Sequence, residues 1–193
     1  MKHLLHQFVS SFKILTPDEV NLIVDHADIR AFDKGIHILK EGQIASECFF
    51  VLKGLVREYY LQDGTEKTTA FFTEGMPVNS FSSATEQKPS KHYLVCAEDC
   101  VMTVGTESME AEMIRRIPRL AEIIRQEVER NAGKMQDDLA TYIMSSPEER
   151  YLNLLKTRPE LLNRVPQHQI ASFLGVKPES LSRIRKRLLS KKA

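Results

Sequence analysis

The spacing of hydrophobic positions changes period twice along the chain. Over the first stretch, Met1–Asp28, Phe8, Phe12 and Leu15 recur at helical spacing. Thr16-Pro17-Asp18-Glu19 then restarts the chain as an N-cap followed by proline at the first helical position, and Leu22 and Ile23 continue a second helix. From about Ile29 the runs become short and alternating or β-branched: 29–32, 36–39, 48–52, 55–61, 67–72, then 92–96 after a longer loop, and 100–104. Gly35, Gly42, Gly54, Gly64 and Gly75 punctuate them at intervals of 7 to 12 residues. Many short strands with evenly spaced turn residues predict a barrel or jelly roll. Asp63-Gly64, flanked by two such runs, predicts a tight hairpin, because both residues tolerate positive φ.

After Gly105 the period becomes helical again. Glu107–Arg116 reads as a short helix, and Pro118 opens a long one reaching about Met144. Within it Ala121, Ile124, Val128, Asn131, Met135, Asp138 and Tyr142 are spaced 3-4-3-4-3-4, a heptad seam that predicts pairing with a second copy. Ile124, Val128, Asn131, Met135 and Tyr142 are the candidate dimer-interface residues. The alternative is a helix packed along the barrel through Leu120, Ile123, Leu139 and Ile143, and the two readings are compatible. Gly133 should weaken this helix by ~1 kcal/mol relative to alanine, and it marks a bend or a close helix approach. Ser145-Ser146-Pro147-Glu148-Glu149 is a capped restart, giving a helix over Pro147–Lys156. Thr157–Val165 is a connector around Leu161-Leu162.

The segment from Gln167 to Lys186 fits a helix-turn-helix position by position. Ala171 is small where two steeply crossing helices touch, and Gly175 accepts positive φ in the turn four residues later. Ile170, Leu174, Val176, Leu181 and Ile184 fall where the two helices bury apolar surface, and Pro178 opens the second helix. The second helix of this motif presents its N-terminal residues to base edges in the major groove. Lys177, Glu179, Ser180 and Arg183 are therefore the facing candidates. Arg183 suits guanine O6 and N7, and Glu179 suits cytosine N4; dipole compensation by Glu179 and a phosphate contact by Arg183 are the alternatives. Arg185, Lys186 and Arg187 are candidate phosphate contacts, with Gln167 and His168 near the backbone at the first helix.

Charge sharpens this picture. The formal net charge is only +1, yet the last 28 residues carry seven basic side chains against one acidic, Glu179. A basic C-terminal tip, with Lys191 and Lys192 in its tail, is the asymmetry of a nucleic-acid contact surface, and also suits a solvated helix end. Cys48, Cys96 and Cys100 match no common metal spacing and read as reduced thiols of a cytoplasmic protein. No secretory signal is read at the N-terminus, and no run approaches the ~18 apolar residues of a membrane span. No membrane partner and no metal site are expected. Catalysis on a cupin-like barrel needs clustered metal ligands beginning with H-x-H; the six histidines are scattered without that motif, and no enzymatic activity is expected.

The arrangement resembles the Crp/Fnr superfamily along nearly the whole chain. The β-roll signature stands as Lys34-Gly35, Leu39, Gly42, 49–56 around Lys53-Gly54, Gly64 and 71–75. In the recognition helix the family's R-E-T-x-x-R pattern stands as Pro178-Glu179-Ser180-Leu181-Ser182-Arg183, with proline replacing the first arginine. The resemblance implies an α+β protein: an N-terminal double-stranded β-helix or jelly roll with flanking helices over 1–117, a long dimerisation helix over 118–144, and a helix-turn-helix domain over 145–193. It implies a bacterial, homodimeric transcription regulator with double-stranded DNA as partner and RNA polymerase as a further one. Members that bind cyclic AMP carry Gly-Glu and, about ten residues on, Arg-Ser. Here Asn79-Ser80 and Ser90-Lys91 stand at those places, so cyclic AMP is not the expected ligand. An unknown small-molecule effector, with Asn79, Ser80, Lys88, Ser90, Lys91 and His92 as pocket candidates, is one reading; a solvated loop is the other. The iron–sulfur branch needs four thiolates that are not present. A haem-type ligand among His37 and His92 stays open beside their structural role. Ser190–Ala193 is too short for the family's β-wing, so contacts by the dimer and the basic tail are expected to replace it. The competing reading is an effector-binding sensor module whose helical tail docks a protein partner.

Overall fold

A computed structural model describes residues 1–190. The chain divides into two compact units: Met1–Tyr60 with Ala70–Gln126, and Leu61–Thr69 with the chain from Glu127 onward.

The first unit opens with α1 (Lys2–Ser10) and α2 (Pro17–His26). The Thr16 hydroxyl accepts from the Glu19 N–H while the Glu19 carboxylate accepts from the Thr16 N–H, a capping box that starts α2 where the Thr-Pro signal placed it. The strands are β1 (Asp28–Phe32), β2 (His37–Leu39), β3 (Cys48–Lys53), β4 (Val56–Gln62), β5 (Thr65–Phe72), β6 (Pro77–Val78), β7 (Tyr93–Cys96) and β8 (Cys100–Gly105). They form two four-stranded sheets, ordered β1-β8-β3-β6 and β2-β7-β4-β5. Alternation puts Leu39, Phe49, Val51, Val56, Leu94, Cys96, Met102 and Val104 into one buried core. A second cluster seats α1 and α2 through Leu5, Val9, Val20 and Val24 on Leu52, with the Phe8 ring 4.3 Å from that of Phe50. The Asp63-Gly64 turn, in the hairpin tip Leu61–Thr69 that belongs to the second unit, has φ of 51° and 71°, the left-handed pair that a two-residue hairpin demands. α3 (Phe81–Glu86) interrupts what the sequence pattern treats as one long loop, and α4 (Glu107–Arg116) follows the last strand.

α5 (Arg119–Met144) runs from the first unit into the second. α6 (Pro147–Thr157) starts on a second capping box, Ser146 with Glu149. The predicted connector contains one short helix, α7 (Leu161–Arg164), because buried Leu161 draws it against the helical core. α8 (Gln167–Phe173) and α9 (Pro178–Ser190) complete the unit. Tyr151, Leu154, Leu161, Val165, Ile170, Leu174, Leu181 and Ile184 are buried. Among the described residues no helix is long and apolar enough to cross a membrane.

Candidate nucleic-acid interface

α8 and α9 meet as the sequence pattern requires. Ala171 is completely buried, and its carbonyl accepts from the Val176 N–H at 2.9 Å, closing the turn. Gly175 holds φ +70°, and a Cβ there would overlap the Tyr142 hydroxyl. Burying Leu181 and Ile184 turns the opposite face of α9 outward. That face exposes Lys177, Glu179, Arg183, Arg185 and Lys186, and leaves Ser180 partly buried. An open groove of about 670 Å³ lies beside it, between the start of α6 and α9, lined by Ser146, Pro147, Glu148, Gly175, Val176, Lys177, Ser180, Arg183, Ile184 and Arg187. Gln167 and His168 are exposed on the first turn of α8.

One predicted phosphate contact is engaged within its own chain: the Arg187 guanidinium pairs with the Glu148 carboxylate on α6. No local spacing announces a pair whose members lie in different helices. Arg150 was likewise missed. Its Nη1 donates to the Leu174 carbonyl at 2.8 Å, its Nε donates to the Ser145 carbonyl at 3.2 Å, and its guanidinium lies 4.2 Å over the Tyr142 ring. Lys191 and Lys192 lie outside the described residues.

The seam of α5, with polar Asn131 and Asp138 at two of its positions, leaves apolar side chains uncovered within the protomer. Val128 is 50% exposed and Met135 72% exposed, while Ile124 and Asn131 are partly buried. Tyr142 is spent on Arg150 and Gly175. Of the residues that would pack the helix against its own chain, Ile123 is buried and Leu120 partly so, whereas Leu139 and Ile143 stand exposed. A Cβ at Gly133 would meet nothing within 4 Å, so this protomer makes no close approach there.

The pocket candidates separate into two groups. Asn79, Ser80, Ser90 and His92 lie inside the first unit, but Lys88 and Lys91 are exposed, and Lys88 pairs with Glu86 at 2.7 Å. The Ser90 hydroxyl donates to the His92 carbonyl and accepts the His92 N–H, so it is already engaged. A cavity of about 190 Å³ is lined by Ile38, Leu39, Gln43, Ile44, Ala45, Ser46, Glu47, Phe49, Ser80 and Leu94. The Ser80 hydroxyl and Asn79 Oδ1 are buried without a hydrogen-bond partner among the described residues. Glu58, paired across the sheet with Leu94, brings its carboxylate to 3.6 Å from His92 Nε2. Sequence reasoning missed Glu58, because a single acidic residue in an alternating strand looks solvent-facing. His37 Nε2 lies 2.9 Å from the Tyr59 hydroxyl. The three cysteines are free thiols: Cys96 and Cys100 are buried and Cys48 is partly so. Burial raises the Cys48 thiol above its ordinary pKa.

With this geometry in place, comparison with known proteins gives the class of the fold. Residues 29–115 match the family described as cyclic nucleotide-binding domain. Over 180 residues the chain is 25% identical to the cyclic AMP receptor protein of Thermus thermophilus, covering 90% of this chain and 82% of that protein. Among solved structures it superposes on the c-di-GMP-responsive global regulator CLP of Xanthomonas campestris with a TM-score of 0.70 at 16% identity, over 92% of this chain and 93% of the other. FixK2 of Bradyrhizobium japonicum gives a TM-score of 0.69 at 19% identity, covering 86% of each chain. The fold is similar to that of these two structures, and residues 29–115 within it are of the cyclic nucleotide-binding-domain type.

Proposed function

We propose that the protein is a homodimeric, sequence-specific DNA-binding transcription regulator of the Crp/Fnr type. The observation that carries this is the outward face of α9, where Glu179 and Arg183 stand exposed in the first two turns of a basic helix. The turn that runs from buried Ala171 to Gly175 holds that helix as a helix-turn-helix recognition element. Arg183 and Glu179 read base edges, and Arg185 and Lys186 hold phosphates. The uncovered apolar positions of α5 pair with a second copy and present two such helices to the duplex.

Cyclic AMP is not the expected effector. A cyclic phosphate needs a cation or free donors in the cassette. Here Lys88 and Lys91 stand exposed to solvent and the Ser90 hydroxyl is engaged, so among the described residues no cation faces the roll at the cassette; the Ser80 hydroxyl is the donor left there, and the Glu58 carboxylate, from sequence-distant β4, lies beside His92.

The test is the salt dependence of duplex binding. Six to eight Lys and Arg per dimer on phosphates predict that log K falls with log[salt] at a slope of roughly −5 to −7. A slope near zero would support the alternative, a sensor module whose helical tail docks a protein.

A further inference from the structure

α5 passes into α6 through Ser145 and Ser146 alone. The Ser145 N–H bonds back to the Thr141 carbonyl and Ser146 caps α6, so the dihedrals between these two anchored residues are what set the orientation of the α8–α9 pair. Something must hold them if two recognition helices in a dimer are to keep a fixed separation. Apolar packing does not account for it at this junction, because Leu139, Ile143 and Met144 at the end of α5 are exposed.

A polar clasp occupies the position instead. The Arg150 guanidinium meets three separate parts of the junction at once. It covers the Tyr142 ring on α5, takes the Ser145 carbonyl in the link, and takes the Leu174 carbonyl at the end of α8. Leu174 belongs to the last turn of a helix, whose carbonyls lack intrahelical donors, so a planar guanidinium with several fixed donors is well matched to it. The Tyr142 hydroxyl meanwhile occupies the space where Gly175 lacks a side chain. Gly175 therefore serves twice: it permits the turn, and it admits the tyrosine.

Resting on the reading above, we propose that Tyr142 and Arg150 are positioning residues that fix the angle between α5 and α9, and so set the half-site spacing that the dimer accepts. They touch no base. A hydrogen bond to a charged group and a stacked guanidinium depend on direction as well as distance, so this contact specifies one orientation where a greasy contact would tolerate several.

The experiment uses the full chain, with two-fold duplexes whose half-sites are set at the preferred separation and at one or two base pairs more or less, and a duplex carrying a single half-site. The proteins are wild type, Arg150→Gln, Tyr142→Ala and Tyr142→Phe. Wild type should prefer one spacing sharply. Arg150→Gln and Tyr142→Ala should lose about tenfold at that spacing, the size of a lost charged hydrogen bond. At the other spacings they should lose little, so that the profile flattens, with single half-site binding preserved. Tyr142→Phe keeps the ring under Arg150 and should keep the profile. An equal loss at all spacings in both disrupting variants would reduce the clasp to a stabilising contact and overturn the proposal, as would a wild-type profile in both. Wild type that binds a single half-site but shows no spacing preference would overturn it too, while leaving DNA binding intact. Wild type that binds no duplex would remove the underlying reading as well.

Discussion

Replacing Gly175 by alanine tests the junction between α8 and α9 at its tightest point. The residue holds φ +70°, which costs a side-chain-bearing residue roughly 1–2 kcal/mol. The added Cβ would also overlap the Tyr142 hydroxyl and stand 3.1 Å from Arg150 Nη1. Such overpacking costs roughly 1–3 kcal/mol where neighbours cannot move. Tyr142 is 42% exposed and can swing away, so the lower end applies. Swinging away forfeits the guanidinium stacking, which is about 0.5–1 kcal/mol at an exposed site. The sum is a destabilisation of roughly 2–4 kcal/mol in the wild-type background. In a Tyr142→Ala background the overlap is gone, and roughly 1–2 kcal/mol of backbone strain should remain. Native-state hydrogen exchange at the Val176 amide, which is bonded to the Ala171 carbonyl, reads this local stability directly. An equal cost in both backgrounds would refute the contact between Tyr142 and Gly175. A cost below about 0.5 kcal/mol in wild type would refute the strained turn as well.

Three further outcomes are expected. Val128→Asp places a carboxylate in the uncovered seam of α5 and should halve the mass measured by sedimentation; an unchanged mass would assign that face elsewhere. Arg183→Ala should cost ~1–3 kcal/mol per half-site and relax preference at one base pair, whereas equal loss on every sequence would show a phosphate contact alone. Hydrogen bonds from Ser146, its hydroxyl first and its backbone N–H second, hold the Glu149 carboxyl below its ordinary pKa. A lowered folded-state pKa contributes stability that is complete above the ordinary carboxylate pKa and is lost as pH falls through the lowered one. Glu149→Gln should therefore flatten the acid limb of the unfolding curve near α6, and an unaltered limb would count against the capping box.

The elements most legible in the sequence are those dictated by local sterics. The period-2 runs became the eight strands apart from β6, which is two residues long. Ala171 and Gly175 revealed the α8–α9 turn because a close crossing and a positive φ each admit few residue types. α3 escaped notice for the converse reason: it is six residues long, exposes Phe81, and ends at Gln87 with φ 51°, where a glycine would have been the signal. Tyr142 fits the heptad spacing as well as any residue in it, and spacing cannot tell that its ring is taken by Arg150. Lys88 and Lys91 stood near the family's cassette in sequence, yet they are exposed, while Glu58, from a different strand, lies at His92. Side-chain partners distant in sequence, such as Arg187 with Glu148, are set by the packing of helices and leave no local mark.

The central claim is that α9, presented twice by a dimer, reads a DNA sequence. Selection of bound sites from a random duplex library with the purified, ligand-free protein tests it most directly. The account predicts enrichment of a two-fold motif with half-sites about one helical turn apart. No enrichment, with or without added cell metabolites, would contradict it.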